Sequence, residues 1–234
     1  MYGNGTGQSA IGFVQKFRGV FSAAATIFRQ RPKVFGIGMG KTGTTSLEKA
    51  FIELGFRVGP QAMFERHFDT WAAADYSTFV ADIERFEAFQ DVPFCLPRAY
   101  RLLHDQFPRA KFVLTVRDSP EQWYNSLCRF HSKVFGREGA LPTEADLAAA
   151  TYVSPGWAFR VAQVYGTPPG QPYDRTTLLR VYETHIRETL SFFASREKSL
   201  LVLNVAEPDA FSRLAAFLAR PTASRPFPHL NRSI

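Results

Sequence analysis

Cysteine, long apolar runs and early acidic residues are what this 234-residue sequence has least of. Its two cysteines, Cys95 and Cys128, do not stand at the spacing of a zinc-ligand pair or a C-x-x-C redox motif, so we predict no structural zinc and a reducing, cytoplasmic compartment. No apolar run reaches the roughly 18 to 20 residues needed to cross a bilayer. A hydrophobic content of 45% still suffices for one sizeable core, which favours a single main domain.

Positive charges exceed negative charges by seven at neutral pH. Such an excess favours an anionic partner, but it does not separate a nucleotide from nucleic acid, a membrane surface or a polyanionic substrate, and a merely solubilising excess is an equally good explanation. No single element carries a basic stripe interleaved with aromatic residues. We therefore predict no nucleic-acid binding.

The first 32 residues contain an amphipathic, basic stretch. Apolar residues recur there at helical spacing between positions 11 and 28, and the first acidic residue of the chain is Glu48. Lys16 and Arg18 interrupt the apolar run, which argues against a cleaved secretory signal, although an organelle transit segment has a similar composition. We predict a helix that docks on the main domain or at an oligomer interface, with a peripheral membrane contact as the alternative.

From residue 33 onward, short apolar runs alternate with helix-length amphipathic runs, which is typical of a parallel sheet flanked by helices. The predicted strands are 34–38, 56–58, 87–90, 111–116 and 200–203, and the predicted helices are 44–54, 102–107, 120–135, 174–195 and 209–218. Residues 136–173 are rich in Gly, Pro and Ala and show one helix start, at Thr143. We interpret that segment as a loop-rich insertion or lid.

The most informative segment is a glycine-rich turn between the first predicted strand and its helix. It reads Gly36-Ile37-Gly38-Met39-Gly40-Lys41-Thr42-Gly43-Thr44-Thr45. Backbone amides in such a turn and at a helix start converge on an anion, and the lysine adds a positive charge. We predict a phosphate-binding loop, because a turn without a ligand does not explain the lysine beside several hydroxyls.

Two familiar phosphate loops fit this segment incompletely. A Walker A loop needs a glycine at position 35, where this chain has Phe35. The dinucleotide fingerprint is present as Gly38-x-Gly40-x-x-Gly43, but the acidic ribose-binding residue expected about 20 positions later is missing. Arg57 lies near that position, so an NADP enzyme remains an alternative.

The third interpretation comes from a resemblance. The run Lys41-Thr42-Gly43-Thr44-Thr45 resembles the 5′-phosphosulfate loop of sulfotransferases that use PAPS (3′-phosphoadenosine 5′-phosphosulfate) as donor. The resemblance implies a three-layer P-loop-type α/β fold, PAPS as the donor, PAP as the product and no required metal. It places Lys41 near the bridging oxygen and the following residues on the 5′-phosphate. The implied donor-binding residues of this loop are Gly40, Lys41, Thr42, Gly43, Thr44 and Thr45.

A second motif supports the same family. Residues 112–126 resemble the sulfotransferase 3′-phosphate motif, in which an arginine ends a strand and a serine follows on the next helix. The resemblance implies that Arg117 and Ser126 hold the 3′-phosphate, although Ser126 stands nine positions after the arginine where many relatives have eight. A salt-bridged strand end or a Walker-B-like acid at Asp118 is the alternative. The likeness covers residues 33–231 and lacks the late Arg-Lys-Gly signature of the cytosolic steroid and phenol enzymes.

Sulfuryl transfer also needs a base for the acceptor's proton. We rank Asp91 first, because Asp91-Val92-Pro93 reproduces the frame in which the cytosolic sulfotransferases carry their catalytic histidine, although an aspartate before this proline also suits a turn. Glu65 is second, since its surroundings resemble the segment bearing the catalytic glutamate of heparan-type enzymes. The remaining candidates are His67, Asp69 and His104.

The sulfuryl group is expected to pass to a hydroxyl or an amine of an acceptor that the sequence does not identify. We expect a small molecule or a carbohydrate, with its pocket in the segment 136–173. Four aromatic residues of that region either line an apolar acceptor pocket or form the insertion's own core: Trp157, Phe159, Tyr165 and Tyr173. Two other functions remain open. One is a P-loop nucleotide kinase or NTPase that requires Mg²⁺, and the other is a nucleotide-binding module without catalysis.

Overall fold

The computed structural model describes residues 32–220 and 226–228. The predicted N-terminal helix and the last residues of the C-terminal tail lie outside the described residues. Within them the chain forms an α/β unit, as predicted.

Four parallel strands form the central sheet, in the order β2-β1-β3-β4. They are β1 (Val34–Gly36), β2 (Ala88–Phe89), β3 (Lys111–Thr115) and β4 (Leu200–Leu203). In register, Phe35 of β1 lies between Phe89 and Phe112 of the neighbouring strands. All four coincide with predicted strands, because short apolar runs buried on both faces leave a clear signal in the sequence.

The predicted strand 56–58 is wrong. In its place the structure has one isolated parallel bridge, between Val58 and Ala88. The amide of Gly59 still donates to the Ala88 carbonyl at 2.9 Å, but the next residue is Pro60, which has no N–H to extend the ladder. The segment is therefore a brief contact at the sheet edge rather than a fifth strand.

Ten α-helices and one 3₁₀ turn surround the sheet in the described part of the chain. In chain order they are α1 (Thr44–Glu53), α2 (Gln61–Glu65), α3 (Phe68–Ala72), α4 (Ser77–Glu84), α5 (Ala99–Gln106), α6 (Pro120–Val134), α7 (Glu144–Ala149), α8 (Trp157–Gln163), α9 (Arg175–Phe193), the 3₁₀ turn Glu197–Ser199 and α10 (Ala210–Phe217). None of the helices described is long and apolar enough to cross a membrane.

Helices cover both faces of the sheet, which makes the fold three-layered. Alternate strand residues point to opposite faces, so Val34 and Val113 pack with α1 and α10, while Phe35 and Phe112 pack on the other side. That second side is rich in phenylalanine, with Phe35 stacked on Phe89 at a centroid distance of 5.1 Å. Two buried cores thus clamp the strands and fix where their carboxyl ends lie.

The segment between α6 and α9 holds two helices where the sequence predicted one. Helix α7 begins with the predicted signal, since Thr143 and Asp146 form a capping box. Helix α8 begins after Gly156, which has φ 70° and offers no side-chain cap, so the usual start signal is missing. Leu147 and Trp157 of these helices share an apolar cluster with residues of the main body.

β1 leads into the glycine-rich loop through a very close approach to β3. A Cβ built on Gly38 would lie 2.1 Å from Thr115 Oγ1 and 2.3 Å from the Thr115 carbonyl oxygen. The clash includes backbone atoms, which cannot move aside as a flexible side chain would. Only glycine lets the loop pass this close to β3.

We expect Gly38→Ala to lower the free energy of unfolding by about 3 kcal/mol, the upper end of the usual cost of overpacking. The matched control is Gly40→Ala in the same loop, because a Cβ there meets nothing within 4 Å. Urea denaturation of both variants measures the difference. Equal stability of the two would show that Gly38 and Thr115 do not approach as closely as described.

Candidate active site

The carboxyl ends of three adjacent strands bring the candidate residues together. The glycine-rich loop follows β1, Asp91 follows β2 and Arg117 follows β3. In open parallel sheets, ligands bind at this edge. The loop and Arg117 are in direct contact, since Arg117 Nε donates to the Lys41 carbonyl at 2.8 Å.

Side chains on the protein side of the loop bind its carbonyl groups. Four side-chain donors from the loop itself, β3's end, α6 and α9 hold them at 2.7 to 2.9 Å. The pairs are His185 Nε2 to Ile37 O, Thr42 Oγ1 to Met39 O, Trp123 Nε1 to Gly40 O and Arg117 Nε to Lys41 O. With these carbonyls turned into the protein, the repulsion they would exert on an anion is removed from the loop's open side.

The start of α1 supplies amide donors to that open side. The first bond from the helix to the loop runs from Leu47 N to Gly43 O, so the amides of Thr44 and Thr45 precede it and have no intrahelical acceptor. Gly43 has φ 104°, and a Cβ there would meet Val205 Cγ2 at 2.6 Å. The turn therefore needs glycine, and the helix dipole adds to the attraction for an anion.

Lys41 provides the positive charge beside these amides. Its Nζ lies 3.5 Å from the centre of the Phe130 ring and makes no ion pair with any described residue. Burial lowers the pKa of Lys41, Asp91 raises it in part, and the charge of Arg117 lowers it further. A half-buried ammonium without a bonded carboxylate is a favourable site for an anionic ligand.

Arg117 is anchored at one end and open at the other. Its amide donates to Tyr182 Oη at 2.9 Å, and Tyr182 stacks on Trp123 with ring centres 4.7 Å apart. The two terminal amino groups of the guanidinium have no hydrogen-bond partner among the residues described. Burial lowers the pKa of Arg117, but the group stays cationic. A fork of this kind fits two oxygens of a phosphate.

Thr42 and Ser126 are both predicted to contact a phosphate of the donor. The Thr42 hydroxyl is fully buried and also bonds Thr115 Oγ1 at 2.6 Å, so it faces β3 rather than the open side of the loop. Ser126 lies on α6, partly buried, and no hydrogen bond joins it to Arg117 in the described part of the chain. Direct phosphate contacts by these two hydroxyls stay predictions.

A cavity of about 230 Å³ opens beside Lys41. Both predicted acids, Asp91 and Glu65, line it. Its other polar wall residues are Gly40, Lys41, Thr44, Thr45, Gln61 and His131, and its apolar and aromatic wall residues include Leu127, Phe130, Phe135, Tyr152, Trp157, Val161 and Tyr165.

Asp91 is held in place by its surroundings. Its Oδ2 accepts a hydrogen bond of 2.8 Å from the Thr44 hydroxyl, and its Oδ1 accepts one of 3.0 Å from the Val92 amide. The residue has φ 64°, in the left-handed region that aspartate tolerates better than most residues. The first turn of α1 thus connects the phosphate loop directly to this carboxylate.

Glu65 is more deeply buried, with 5% of its surface exposed. Its Oε1 accepts a 2.7 Å bond from Gln61 Nε2, and its backbone carbonyl accepts one of 3.0 Å from Trp157 Nε1. Burial raises the pKa of Glu65, the bond from Gln61 lowers it, and the charge of Asp91 raises it. Glu65 therefore loses its proton less readily than an exposed glutamate does.

The other three acid or base candidates lie outside the cavity wall and have structural partners. His67 Nε2 lies 2.9 Å from Asp82 Oδ2, and Asp69 pairs with Arg160 at 2.7 Å. His104 packs among aromatic rings, stacked on Phe112. Of the four predicted aromatic residues, Trp157 and Tyr165 line the cavity, whereas Phe159 packs in the apolar cluster of α7 and α8 and Tyr173 contacts His131.

Sequence reasoning missed His131 and Phe130, which bring α6 into the cavity. A weak signal existed, because Trp123, Leu127 and His131 recur every four residues and so share one helix face. That spacing alone does not tell a cavity wall from a core stripe.

A comparison with protein families identifies the family of the chain. The family model of the sulfotransferase domain matches residues 33–233. This chain belongs to the sulfotransferase family. The match confirms the family resemblance seen in the two phosphate motifs. Members of this family transfer sulfuryl groups, which is the general activity of this enzyme. No curated protein matches it.

The resemblance implied that the sulfotransferase requires no metal. Within residues 32–220 and 226–228, no group of three or more His, Cys, Asp or Glu side chains is arranged to hold a metal ion. Independence from metal stays a prediction.

The buried Glu65 makes stability depend on pH. Because its pKa is raised on folding, the folded state holds the proton more tightly than the unfolded state, and stability falls as pH rises from the ordinary glutamate value through the raised one. We expect Glu65→Gln to raise the free energy of unfolding at pH 7 and to have no such effect near pH 4. The exposed Glu138→Gln is the control, and denaturation at both pH values is the measurement. A glutamine variant less stable than the wild type at pH 7 would contradict this environment for Glu65.

Proposed function

We propose that this sulfotransferase moves a sulfuryl group from PAPS to a hydroxyl of a small, largely apolar molecule and releases PAP. The observation that carries the donor assignment is the Arg117 fork. Its Nε is bonded to the Lys41 carbonyl, while its terminal amino groups have no partner among the described residues. An anion site at the loop and a second one beside it suit a ligand with two separate phosphate groups, as PAPS has.

The loop's own residues have distinct tasks in this scheme. The amides at the start of α1 hold the 5′-phosphate, and Lys41 neutralises charge that develops on the leaving side. Thr44 is buried and Lys41 is half-buried, so water competes for these two donors less than at an open surface. When bound, PAPS supplies the activated sulfuryl group, and the protein contributes position and charge.

Asp91 is the better-placed base. Its carboxylate lies in the cavity wall with Lys41. Oδ1 accepts from the Val92 amide and, at 3.9 Å, from the Cys95 thiol, whereas Oδ2 accepts one bond, from Thr44, and keeps a lone pair for a proton. Glu65 is less suited, because its raised pKa and deeper burial keep it closer to the protonated form. We therefore assign proton removal to Asp91 and a polar wall position to Glu65.

The cavity wall favours a small apolar acceptor over a carbohydrate. Its apolar and aromatic residues outnumber its polar ones, and two of the polar groups are bonded within the protein: Trp157 Nε1 bonds the Glu65 carbonyl and Gln61 Nε2 bonds the Glu65 carboxylate. A sugar would leave several hydroxyls unpaired among aromatic rings, at about 1 to 3 kcal/mol each. One hydroxyl on an apolar body meets Asp91 without that cost. The aromatic wall, Tyr152 and Trp157 with ring centres 5.8 Å apart, suits such a body.

The cellular setting is a further part of the proposal. The two cysteines are free, with Cys95 buried, so nothing in their arrangement requires an oxidising compartment. We place the enzyme in the cytoplasm, with a small-molecule partner and without nucleic acid.

The first test concerns the donor. PAP without metal should raise the melting temperature of the protein, since a ligand bound by the folded state stabilises it by mass action. Mg-ATP and NADP, each at the same concentration, are the comparison ligands. Stabilisation by either of these and none by PAP would reject the PAPS assignment in favour of an NTPase or an NADP enzyme.

The second test isolates the 3′-phosphate. Arg117→Ala should weaken PAP binding by about 1.5 to 3 kcal/mol, the usual contribution of a charge-assisted fork, and should change the affinity for adenosine 5′-phosphosulfate much less. Calorimetry with both ligands measures this. The control is Arg187→Ala on the exposed surface of α9. An equal loss for both ligands would place Arg117 away from the 3′-phosphate.

The third test concerns the base. Asp91→Asn keeps the shape and tolerates the same φ, but the amide does not take up a proton, so turnover should fall by about 100- to 10,000-fold while PAP affinity holds. Glu65→Gln should retain most turnover. Near-normal turnover of the asparagine variant, together with an inactive but PAP-binding Glu65→Gln, would move the base to Glu65.

A further inference from the structure

His131 is the one cavity residue in the described wall with an imidazole ring, and it has a fixed orientation. Its Nδ1 lies 2.7 Å from the Tyr173 hydroxyl, and its ring packs edge-on against Tyr173 and Phe135 at centroid distances of 5.6 and 5.3 Å. Tyr173 is not part of the cavity wall, so the opposite edge of the ring, which carries Nε2, is the edge left to face the cavity. No described residue bonds Nε2.

The pairing with Tyr173 selects one tautomer. The Tyr173 hydroxyl has no other acceptor in the described part of the chain, so donating its proton to Nδ1 satisfies both groups. The ring proton then resides on Nε2. The alternative, with the proton on Nδ1, would leave the hydroxyl's own proton without an acceptor in a half-buried place.

The ring is also neutral under ordinary conditions. Burial, and after it the charge of Lys41, lowers the pKa of His131 to about 4. Burial likewise raises the pKa of Tyr173, so that hydroxyl keeps its proton. The groups facing the imidazole are thus one cation and one neutral phenol. At neutral pH, His131 presents an uncharged N–H donor next to the Lys41 ammonium.

We propose that His131 is a further residue of the catalytic centre, which donates a hydrogen bond from Nε2 to an oxygen of the sulfuryl group that Lys41 serves, with Tyr173 as the positioning residue. The inference rests on the proposed function. A neutral donor complements Lys41 there, because it stabilises oxygen charge without adding a second cation that would repel the first. No proton leaves the ring in this role.

The tautomer is tested without any substrate. In ¹⁵N-labelled protein at pH 7, the imidazole nitrogen shifts of His131, assigned by their loss in His131→Gln, should show the proton on Nε2. Tyr173→Phe should turn this into a mixture of tautomers. A dominant Nδ1 proton in the wild type, or a charged ring at pH 7, would overturn the proposal.

Transfer of the sulfuryl group from PAPS to water tests the catalytic role of His131 and requires no knowledge of the acceptor. His131→Leu should slow the release of PAP from PAPS in the absence of acceptor by about 100-fold or more, the usual loss for one oxyanion donor, with PAP affinity unchanged. His131→Gln, whose amide N–H replaces the Nε2 donor, should recover most of the rate, and Tyr173→Phe should fall between. His104→Gln is the control, since that ring lies outside the cavity wall.

The outcomes separate this inference from the proposed function. If PAP binds the wild type and the leucine and glutamine variants release PAP equally fast, the role of His131 is wrong and the donor assignment stands. If PAP does not bind the wild type, the donor assignment fails first. A leucine variant that loses PAP affinity as well as rate would also overturn the role, because a donor to the sulfuryl group does not contact PAP.

Discussion

The rest of the site depends on the hydrogen bonds that hold the loop carbonyls toward the protein interior. An anion is attracted to a backbone turn only where amides face it and carbonyls do not, and a free loop would sample both faces. Here Trp123 of α6, His185 of α9 and Arg117 after β3 each hold one carbonyl of the loop. The close packing of Gly38 on Thr115 makes these bonds possible, because it brings the loop within reach of β3 and of the helices behind it. The cost of ordering the loop is met during folding rather than at binding.

One residue, Thr44, connects the phosphate-binding loop with the carboxylate proposed as the base. Thr44 begins α1 with an amide on the open side of the loop and donates its hydroxyl proton to Asp91. Backbone and side chain of a single threonine therefore serve two parts of the site. The carboxylate is held next to the phosphate loop by a neutral donor, which leaves the charge of Lys41 for a ligand.

Local patterns explain which parts of this structure were predictable from the sequence. The strands, the glycine loop, Arg117 at the end of β3 and the presence of Asp91 at the end of β2 all follow from short runs whose periodicity or composition is specific. The strand at 56–58 failed because one proline after Gly59 outweighs a favourable apolar run, and α8 was missed because it lacks a polar cap. The buried orientation of the Thr42 hydroxyl and the position of His131 were out of reach. Both result from contacts between residues about 70 to 90 positions apart, and no local pattern records them.

Helix α6 connects the glycine-rich loop with the cavity wall. Trp123 near its start holds the Gly40 carbonyl, and Phe130 and His131 near its end line the cavity beside Lys41. A rigid helix of 15 residues transmits any small shift along its whole length. In the proposed function, the loop assigned to the donor and the wall assigned to the acceptor are thus joined by one rigid element. A coupling between the two sites would act equally in both directions, as thermodynamic reciprocity requires.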